Sequence, residues 1–296
     1  MTPRDAEGPV LITGGAGSVG VRLAERFLGE GWSVRVFDLP AMDFSAVEGR
    51  TGVEITKGDV TDYDEVAAAA AGVGAIVHLA ALLPPNSERD RNRTFDVNVG
   101  GTETVVKALE RVSSDATLVF PSSVSTYGDT SCEDPPIRVD HSQSAIDIYA
   151  ESKIAAERVV LASGLKTVIL RIAGIAVPAF LEPPEAWPFL PDQRVEMVHR
   201  DDVVDALYAS AENSDAAGSV FNIAGGPTWQ RRGTDYVSDF SDFVGAPADE
   251  AVYRDSPGWM DWYDTAESQR VLKYQNRPYE CYAGEMRAIV EAMIAG

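Results

Sequence analysis

A glycine-rich run near the start of the chain constrains the fold more than any other feature. The apolar segment Pro9–Thr13 leads directly into the glycines Gly14, Gly17 and Gly20, and helical spacing follows from Val21. A strand that passes into a helix over glycines at this spacing opens many alternating α/β folds. The sequence therefore predicts a strand, a tight turn and a helix that begins next to the turn.

The alternation of strands and helices continues to about residue 225. Short apolar segments predict strands, and segments with helical spacing separate them. Because a helix follows almost every strand, the strands should be parallel, with helices on both faces of one sheet. The predicted strands are Pro9–Thr13, Ser33–Phe37, Val53–Thr56, Ala75–Leu79, Thr117–Phe120, Thr167–Leu170 and Val220–Ile223. The predicted helices are Val21–Leu28, Thr61–Ala71, Val99–Arg111, Tyr149–Ala162 and Val203–Glu212.

A change of pattern after Gly225 predicts a second, smaller region. Pro, Trp, Tyr and Asp become frequent there, and helices are predicted at Asp235–Val244, Thr265–Tyr274 and Glu285–Ala295. The proline-rich segment Pro178–Pro191 is predicted to be a loop that reaches into the same region. The C-terminal part should therefore be mostly helical.

The charge balance excludes two classes of partner. Asp and Glu number 46 and Lys and Arg 25, which gives a net charge of −21. Nucleic-acid backbones and anionic membranes are bound by clustered basic residues, so neither is an expected partner.

The apolar segment Val66–Pro85 is interrupted by Gly72 and Gly74, and His78 is its only polar side chain. We interpret it as a helix end, a turn and a buried strand, not as a membrane span.

Cysteine usage and the first residues indicate a compartment. Cys132 and Cys281 are too few for a disulfide framework, which is typical of a reducing environment. The first residues include Arg4, Asp5 and Glu7, so no signal peptide is expected and a cytoplasmic location is predicted. Only five of the 25 basic residues are Lys, which fits a salt-rich cytoplasm or a GC-rich genome. We take moderate halotolerance as a hypothesis.

The glycine turn has the spacing that a dinucleotide pyrophosphate requires. Gly14 allows a tight turn, Gly17 lets the backbone approach the phosphates, and Gly20 lets the helix pack close to the sheet. The N–H groups at the start of the helix can then bind the anion. Asp38 ends the next strand, where a carboxylate accepts hydrogen bonds from ribose hydroxyls and repels a 2′-phosphate, so NAD is favoured over NADP. For Asp59, after the third strand, an adenine contact and a turn cap remain equally open.

A second constellation predicts proton transfer. Tyr149 and Lys153 lie four residues apart on a predicted helix and therefore share a face. A cation near the phenol lowers its pKa. To act as a base near neutral pH, a tyrosine needs a pKa that is lowered by about 3 units. Ser123 follows the strand Thr117–Phe120, at the sheet edge where parallel sheets bind ligands, and its hydroxyl can hold a substrate oxygen. An exposed helix pair and a turn residue are the alternatives to these roles.

Further motifs, taken in chain order, point to one family. They are Thr13–Gly20 (TGxxGxxG), His78–Ala81 (HxAA), Asn98 (the start of NVxGT), Ser122–Gly128 (SSxxxYG), Tyr149 with Lys153 (YxxxK), Leu170-Arg171 (LR), Val198–Val203 (like HVDDV) and Asn222–Gly226 (like YNIGGG). Together they resemble the extended short-chain dehydrogenase/reductase family, also called the NAD-dependent epimerase/dehydratase family. The resemblance extends from Val10 to about Gly226.

This resemblance implies a Rossmann-like doubly wound parallel sheet with a small, mostly helical C-terminal substrate-binding region. We expect residues 1–176 and 199–226 to form the NAD-binding domain, and residues 177–198 and 227–296 the smaller region. The family often forms a homodimer through the helices Val99–Arg111 and Tyr149–Ala162, so a homodimer is expected.

The resemblance also implies roles for individual residues. Tyr149 exchanges a proton with a substrate hydroxyl or ketone, Lys153 lowers the pKa of Tyr149 and holds the nicotinamide ribose, and Ser123 orients the substrate oxygen. No metal ligand is predicted. The predicted cofactor-binding residues are Gly14, Gly17, Ser18, Val19, Gly20, Asp38, Asp59, Val60, Leu79, Ala80, Ala81, Asn98, Tyr149 and Lys153.

Departures from the family pattern limit which reactions and substrates are expected. Sugar-nucleotide dehydratases carry Asp-Glu after the catalytic hydroxyl, but here these positions are Val124 and Ser125, so 4,6-dehydration is not expected. The segment Gly174–Val198 is short for an enzyme that holds a nucleotide diphosphate. Arg231 and Arg232 could bind a substrate phosphate or carboxylate, or could be a solvated pair. The candidates to line the substrate pocket are Trp187, Trp229, Gln230, Trp259, Trp262 and Tyr263. The alternative for the aromatic residues is the core of the small domain.

The sequence thus predicts an NAD-dependent oxidoreductase that transfers hydride at a secondary alcohol or ketone of a sugar, sugar acid or polyol. A sugar or nucleotide-sugar epimerase with tightly bound NAD would have the same Ser-Tyr-Lys set. A non-catalytic NAD-binding sensor is a third alternative, which the intact set argues against.

Overall fold

The computed structural model describes residues 8–180 and 182–295. Arg4, Asp5 and Glu7, on which the signal-peptide expectation depends, lie outside the described residues. The strands are β1 (Val10–Thr13), β2 (Val34–Asp38), β3 (Val53–Lys57), β4 (Ala75–His78), β5 (Thr117–Ser123), β6 (Lys166–Ile172), β7 (Gly174–Ala176), β8 (Arg194–His199), β9 (Val220–Ile223) and β10 (Gln230–Arg232). The helices are α1 (Ser18–Gly29), α2 (Tyr63–Ala70), α3 (Arg91–Phe95), α4 (Gly101–Val112), α5 (Ile148–Ala162), α6 (Arg200–Glu212), α7 (Gly233–Val244), α8 (Ala266–Leu272) and α9 (Tyr279–Ala295).

The larger sheet confirms the predicted doubly wound α/β fold. Its seven strands lie in the order β3-β2-β1-β4-β5-β6-β9. The registers between β1 and β2, β2 and β3, β1 and β4, and β4 and β5 are all parallel. Strand order reverses between β1 and β4, and sheets of this kind bind ligands at the carboxyl ends of strands beside such a reversal.

The chain is organised as two compact units, which we call unit 1 and unit 2. Unit 1 contains residues 8–123, 147–170 and 204–220, and unit 2 contains residues 124–146, 171–180, 182–203 and 221–295. Every residue of β1 and β4 in unit 1 is buried. This is the pattern expected of central strands covered on both faces. The residues predicted to bind cofactor or to transfer protons all lie in unit 1.

Unit 2 has an aromatic core and a small sheet of its own. Three short strands pair in the order β10-β8-β7, with β10 antiparallel and β7 parallel to β8. This sheet was not predicted, because three-residue strands such as β7 and β10 carry no readable alternation. The core side chains include Trp187, Phe189, Trp229, Tyr236, Phe240, Phe243, Tyr279 and Tyr282.

Several predicted boundaries were wrong by a few residues. Helix α1 begins at Ser18 with Gly17 as its N-cap, not at Val21. The N-cap of α2 is Asp62, which accepts hydrogen bonds from the N–H groups of Asp64 and Glu65, so this helix begins at Tyr63 and not at Thr61. These shifts follow from cap geometry, which propensity does not resolve.

Two further boundaries affect the site and the C-terminus. Strand β5 runs on through a proline to Ser123, so Ser123 is a strand residue and not part of the turn. Helix α9 begins at Tyr279, six residues before the predicted Glu285. Within residues 8–180 and 182–295, no helix is both long and apolar enough to cross a bilayer.

Candidate active site

The glycine turn is shaped by close contacts between β1, β4 and α1. Gly14 has φ +69°, and a Cβ there would lie 2.7 Å from the backbone nitrogen of Ala80. Only glycine meets both conditions without strain. At Gly20 a Cβ would lie 2.6 Å from the oxygen of Gly14 and from Cα of Gly15. Gly20 thus lets the first turn of α1 lie directly against the glycine turn.

Gly17 differs from the other two glycines. It is the N-cap of α1 with φ −73° and ψ 167°, angles open to any residue. A Cβ there would have one close neighbour, the oxygen of Gly14 at 3.3 Å. Ser18 and Val19 follow as the first residues of α1, whose first turn contains no acidic residue. The first turn of α1 therefore offers N–H groups to an anion and contains no carboxylate of its own.

Asp38 is positioned by the glycine turn. Its Oδ2 accepts the N–H of Ala16 at 3.0 Å, and its Oδ1 accepts the N–H of Leu39 at 2.8 Å. Each carboxylate oxygen has two acceptor sites, so both retain capacity for a further donor. The carboxylate is thus fixed beside the turn with capacity to accept ribose hydroxyls.

Asp59 and Val60 have clear local contacts. Oδ1 of Asp59 accepts both the N–H and the hydroxyl of Thr61, at 2.9 and 2.8 Å, which makes Asp59 a turn cap. Val60 is buried, and a Cβ at Gly101 of α4 would lie 2.8 Å from its Cγ1. The turn cap is thus present, and the adenine contact of Asp59 stays a prediction.

A chain of hydrogen bonds begins at the end of β4, and each group in it donates to the next. The N–H of Ala80 donates to Thr13 Oγ1 at 3.3 Å, and that hydroxyl lies 2.7 Å from His78 Nδ1. His78 Nε2 lies 3.2 Å from Thr102 Oγ1, which donates to the oxygen of Asn98 at 2.6 Å. Because Thr102 uses its proton on Asn98, His78 must donate from Nε2 and accept at Nδ1. Burial, together with the charge of Lys153, lowers the pKa of His78 to about 3, so the ring is neutral.

Asn98 ties the loop after β4 to α5. It lies in a π-helical segment, Asp96–Gly100, immediately before α4. Its Oδ1 accepts the N–H of Leu82 at 2.7 Å, and its Nδ2 donates to the oxygen of Leu82 and to Ser152 Oγ at 3.1 and 2.9 Å. The half-buried residues Leu79–Ala81 precede this contact. The side chain of Asn98 thus positions the segments that carry Leu79–Ala81 and Lys153.

The three predicted catalytic residues come from two adjacent elements of unit 1. Ser123 is the last residue of β5, whereas Tyr149 and Lys153 lie in the first two turns of α5. Asp147 caps α5 by accepting the N–H of Ala150 at 2.7 Å. Ser123 and Lys153 are both buried, and Tyr149 is half-buried.

The ammonium of Lys153 is held at the end of β5. Its Nζ donates to the oxygen of Pro121 at 2.8 Å and lies 4.9 Å from the ring centroid of Phe120. The distance from Nζ to the ring centroid of Tyr149 is 5.8 Å. Burial lowers the pKa of Lys153 to about 8, although the charge of Glu157 opposes that shift.

The pKa of Tyr149 moves in the direction opposite to the prediction. Burial raises it well above its usual value, and the charge of Asp147 adds to the increase. The loss of solvation of the phenolate therefore outweighs the attraction of Lys153 in the protein chain. A tyrosinate here requires positive charge beyond that of Lys153.

Two contacts at this site were missed by sequence reasoning. Glu88, in the segment between β4 and α3, accepts the N–H groups of Ile148 and Tyr149 at 2.9 and 3.0 Å. Glu157 accepts a hydrogen bond from Ser122 Oγ at 2.5 Å. Glu157 could have been noticed, because it lies four residues after Lys153 on the same helix. No local pattern indicates Glu88, which is about 60 residues away from α5 in the sequence.

Three motif residues of unit 2 form one buried network. Tyr127 donates its hydroxyl hydrogen to Asn222 Oδ1 at 2.6 Å and accepts a hydrogen bond from Arg171 Nη1 at 3.0 Å. Asn222 Nδ2 donates to the oxygen of Ile137 at 3.0 Å. The YG, LR and NI motif positions therefore serve to hold unit 2 together.

The aromatic substrate-pocket candidates are largely core residues. Trp187 and Trp229 belong to the aromatic core of unit 2, and Trp229 Nε1 donates to the oxygen of Arg277 at 2.9 Å. Arg231 pairs with Asp239 at 2.5 Å. Arg232 donates to the oxygen of Asp192 at 2.8 Å.

Among the described residues, no group of three or more His, Cys, Asp or Glu side chains is arranged to hold a metal ion.

Comparison with known proteins identifies a matching family model and several relatives of this chain. The model of the NAD dependent epimerase/dehydratase family matches residues 10–179, more than half of the chain. A 3β-hydroxysteroid dehydrogenase/Δ5→4-isomerase of Mycobacterium tuberculosis is 34% identical over 177 residues, which are 57% of this chain and 47% of the relative. A UDP-glucose 4-epimerase of Lacticaseibacillus casei is 32% identical over 175 residues, 56% of this chain and 51% of the relative. The matches thus span about half the length of these curated relatives.

Solved structures agree on the fold along nearly the whole chain. MoeE5, in complex with UDP-glucuronic acid and NAD, superposes with a TM-score of 0.81 at 23% identity, covering 97% of this chain and 100% of that one. The Bordetella bronchiseptica enzyme WbmG, in complex with NAD, superposes with a TM-score of 0.79 at 23% identity. The superposition covers 99% of this chain and 96% of WbmG.

Proposed function

Because the chain belongs to the NAD-dependent epimerase/dehydratase family, whose cofactor is NAD, we propose that it transfers hydride at a secondary alcohol or ketone. In this proposal Ser123, Tyr149 and Lys153 carry the proton chemistry. The observation that supports it most is their common placement, at the end of β5 and in the first two turns of α5, with Lys153 fixed by Pro121.

The residues around the glycine turn fit NAD. Gly17 leaves room that a side chain would occupy in front of the N-terminus of α1, where a pyrophosphate can accept N–H donors. Asp38 would accept the adenosine ribose hydroxyls and repel a 2′-phosphate. Lys153 would hold the nicotinamide ribose. When bound, NAD⁺ accepts the hydride and adds a second positive charge to the site.

The proposed proton transfer depends on the charges around Tyr149. Ser123 would donate a hydrogen bond to the substrate oxygen while the phenolate of Tyr149 takes the hydroxyl proton. Lowering the pKa of a phenol from ~10 to ~7 corresponds to about 4 kcal/mol. Burial raises the pKa of Tyr149, so the phenolate needs more stabilisation than this. The positive charges of Lys153 and of the bound cofactor would both supply it.

For the substrate we propose a sugar, sugar acid or polyol. The short segment Gly174–Val198 supports a substrate smaller than a nucleotide-diphosphate sugar, and Val124 and Ser125 argue against dehydration. We assign substrate binding to residues 177–198 and 227–296. We also propose that the protein is a homodimer through α4 and α5.

Two other substrate and reaction classes have specific support. The relatedness to UDP-glucose 4-epimerase favours an epimerase that returns the hydride to the other face. The relatedness to 3β-hydroxysteroid dehydrogenases favours a sterol secondary alcohol. Both reactions would use the same Ser123, Tyr149 and Lys153.

The test is NADH absorbance at 340 nm with NAD⁺ and a panel of free sugars, sugar acids, polyols, nucleotide-sugars and 3β-hydroxysteroids. Steady NADH formation with a sugar, sugar acid or polyol supports the proposal. Formation with a steroid alone assigns the sterol class. No net NADH, together with NAD released from the denatured protein and a changed stereocentre in one substrate, identifies an epimerase. No reaction of either kind with the whole panel contradicts the proposed function.

A further inference from the structure

Two consecutive turns of α5 hold two consecutive residues of β5. Lys153 Nζ donates to the oxygen of Pro121 at 2.8 Å. One turn later, Glu157 accepts the hydroxyl hydrogen of Ser122 at 2.5 Å. The next residue of the strand is Ser123, so both contacts fix the backbone that carries the catalytic hydroxyl.

The carboxylate of Glu157 is deeply buried. The residue is 1% exposed, and Lys153 is 5% exposed. A buried carboxylate is stable only when charge or hydrogen bonds compensate the loss of water. Ser122 supplies a hydrogen bond, and Lys153, four residues earlier on the same helix, supplies the opposite charge.

The groups facing Lys153 differ in charge. From α5 they are Glu157 and the ring of Tyr149, and from β5 the ring of Phe120. From β4 the group is His78, whose pKa of about 3 leaves it neutral. Glu157 thus provides the negative charge that acts on Lys153, and it raises the pKa that burial lowers to about 8.

We propose that Glu157 is a positioning residue that keeps Lys153 protonated and, through Ser122, fixes the end of β5 that carries Ser123. The catalytic consequence rests on the proposed function, because it requires Lys153 to act in proton transfer. The effect on the charge of Lys153 does not require it.

The two parts of this role can be separated by two substitutions. Glu157→Gln removes the charge but keeps an oxygen that can accept the hydrogen bond of Ser122. Ser122→Ala removes that hydrogen bond but keeps the carboxylate. If the charge acts on Lys153, only Glu157→Gln should make Lys153 lose its proton at a lower pH.

The experiment is an NMR titration of the protein with ¹³C-labelled lysine and without added cofactor. The chain has only five lysines, Lys57, Lys107, Lys153, Lys166 and Lys273, and the signal missing in Lys153→Met assigns Lys153. We expect Glu157→Gln to lower the Lys153 midpoint by about one pH unit, a tenfold change in the proton equilibrium. Ser122→Ala should leave that midpoint within ~0.3 unit. A wild-type midpoint in Glu157→Gln overturns the proposal.

Activity and a second variant complete the test. The alkaline limb of kcat/KM should move to lower pH in Glu157→Gln by the same amount as the midpoint of Lys153. If the midpoint moves and the limb does not, Glu157 controls the charge of Lys153, and the catalytic role proposed for Lys153 is wrong. If Glu157→Gln does not fold, Glu157→Asp, which withdraws the carboxylate by one methylene, should also lower the midpoint. An unchanged midpoint in that variant overturns the proposal.

Discussion

Gly17, at the residue scale, is less constrained by the described residues than Gly14 and Gly20 are. Its φ is −73°, and the neighbour that a Cβ would meet is the oxygen of Gly14, at 3.3 Å. Gly14 and Gly20 are different, because a Cβ at either would collide with backbone atoms. The absence of a side chain at Gly17 therefore fits the approach of a ligand.

We predict that Gly17→Ala folds but binds NAD at least about tenfold more weakly, a loss of ~1.4 kcal/mol, because the methyl group occupies the place of the pyrophosphate. Calorimetry gives the NAD affinity, and thermal melting reports the fold. Gly14→Ala is the control that should lower the melting temperature, since φ +69° and a 2.7 Å contact both disfavour a side chain. Wild-type NAD affinity in Gly17→Ala would count against this placement of the cofactor.

At the element scale, α5 is positioned from its N-terminus by a residue remote in sequence. Glu88 accepts the N–H groups of Ile148 and Tyr149, and Asp147 accepts that of Ala150. Carboxylates at a helix N-terminus interact favourably with its dipole. The contact of Glu88 fixes the backbone of Tyr149 directly.

We predict that Glu88→Ala lowers kcat about 10-fold or more while reducing stability by about 1 kcal/mol, because α5 begins without two of its acceptors and Tyr149 is misplaced. Steady-state kinetics and urea unfolding measure the two effects. Arg91→Ala is a matched control: it removes an exposed pair with Glu151 on the same helix, and exposed pairs contribute little. Equal kcat in the two variants would show that Glu88 does not position Tyr149.

The elements differ in how well the sequence predicted them. The glycine turn is a local pattern, and the strand and the helix that it predicted on either side are present. Tyr149 and Lys153 lie on one helix, as their spacing requires. The contact of Glu88 with α5 and the strand β10 depend on residues far apart in the chain. Local spacing carries no information about such pairings. The direction of the Tyr149 pKa depends on burial, which spacing also does not reveal.

At the scale of the whole molecule, charge is the property that the sequence determines most directly. The net charge of −21 is distributed over 296 residues, and repulsion among like charges destabilises a compact state. Salt screens this repulsion, with a Debye length of about 10 Å at 0.1 M and about 3 Å at 1 M.

We predict that the melting temperature rises by several degrees between ~0.05 M and ~1 M NaCl and that activity is retained at the higher salt. Differential scanning calorimetry measures the first effect. Unchanged melting together with full activity at both salt concentrations would remove the halotolerance hypothesis.

We propose that Tyr149 moves the proton in an NAD-dependent reaction, and the most direct test compares Tyr149→Phe with the wild type on the substrate identified at 340 nm. Removing one hydroxyl should lower kcat by about 10²–10⁴-fold, the usual contribution of a general acid or base. NAD affinity, measured by calorimetry, should stay within about threefold of the wild type. A Tyr149→Phe enzyme with nearly full kcat and normal NAD binding would contradict the account.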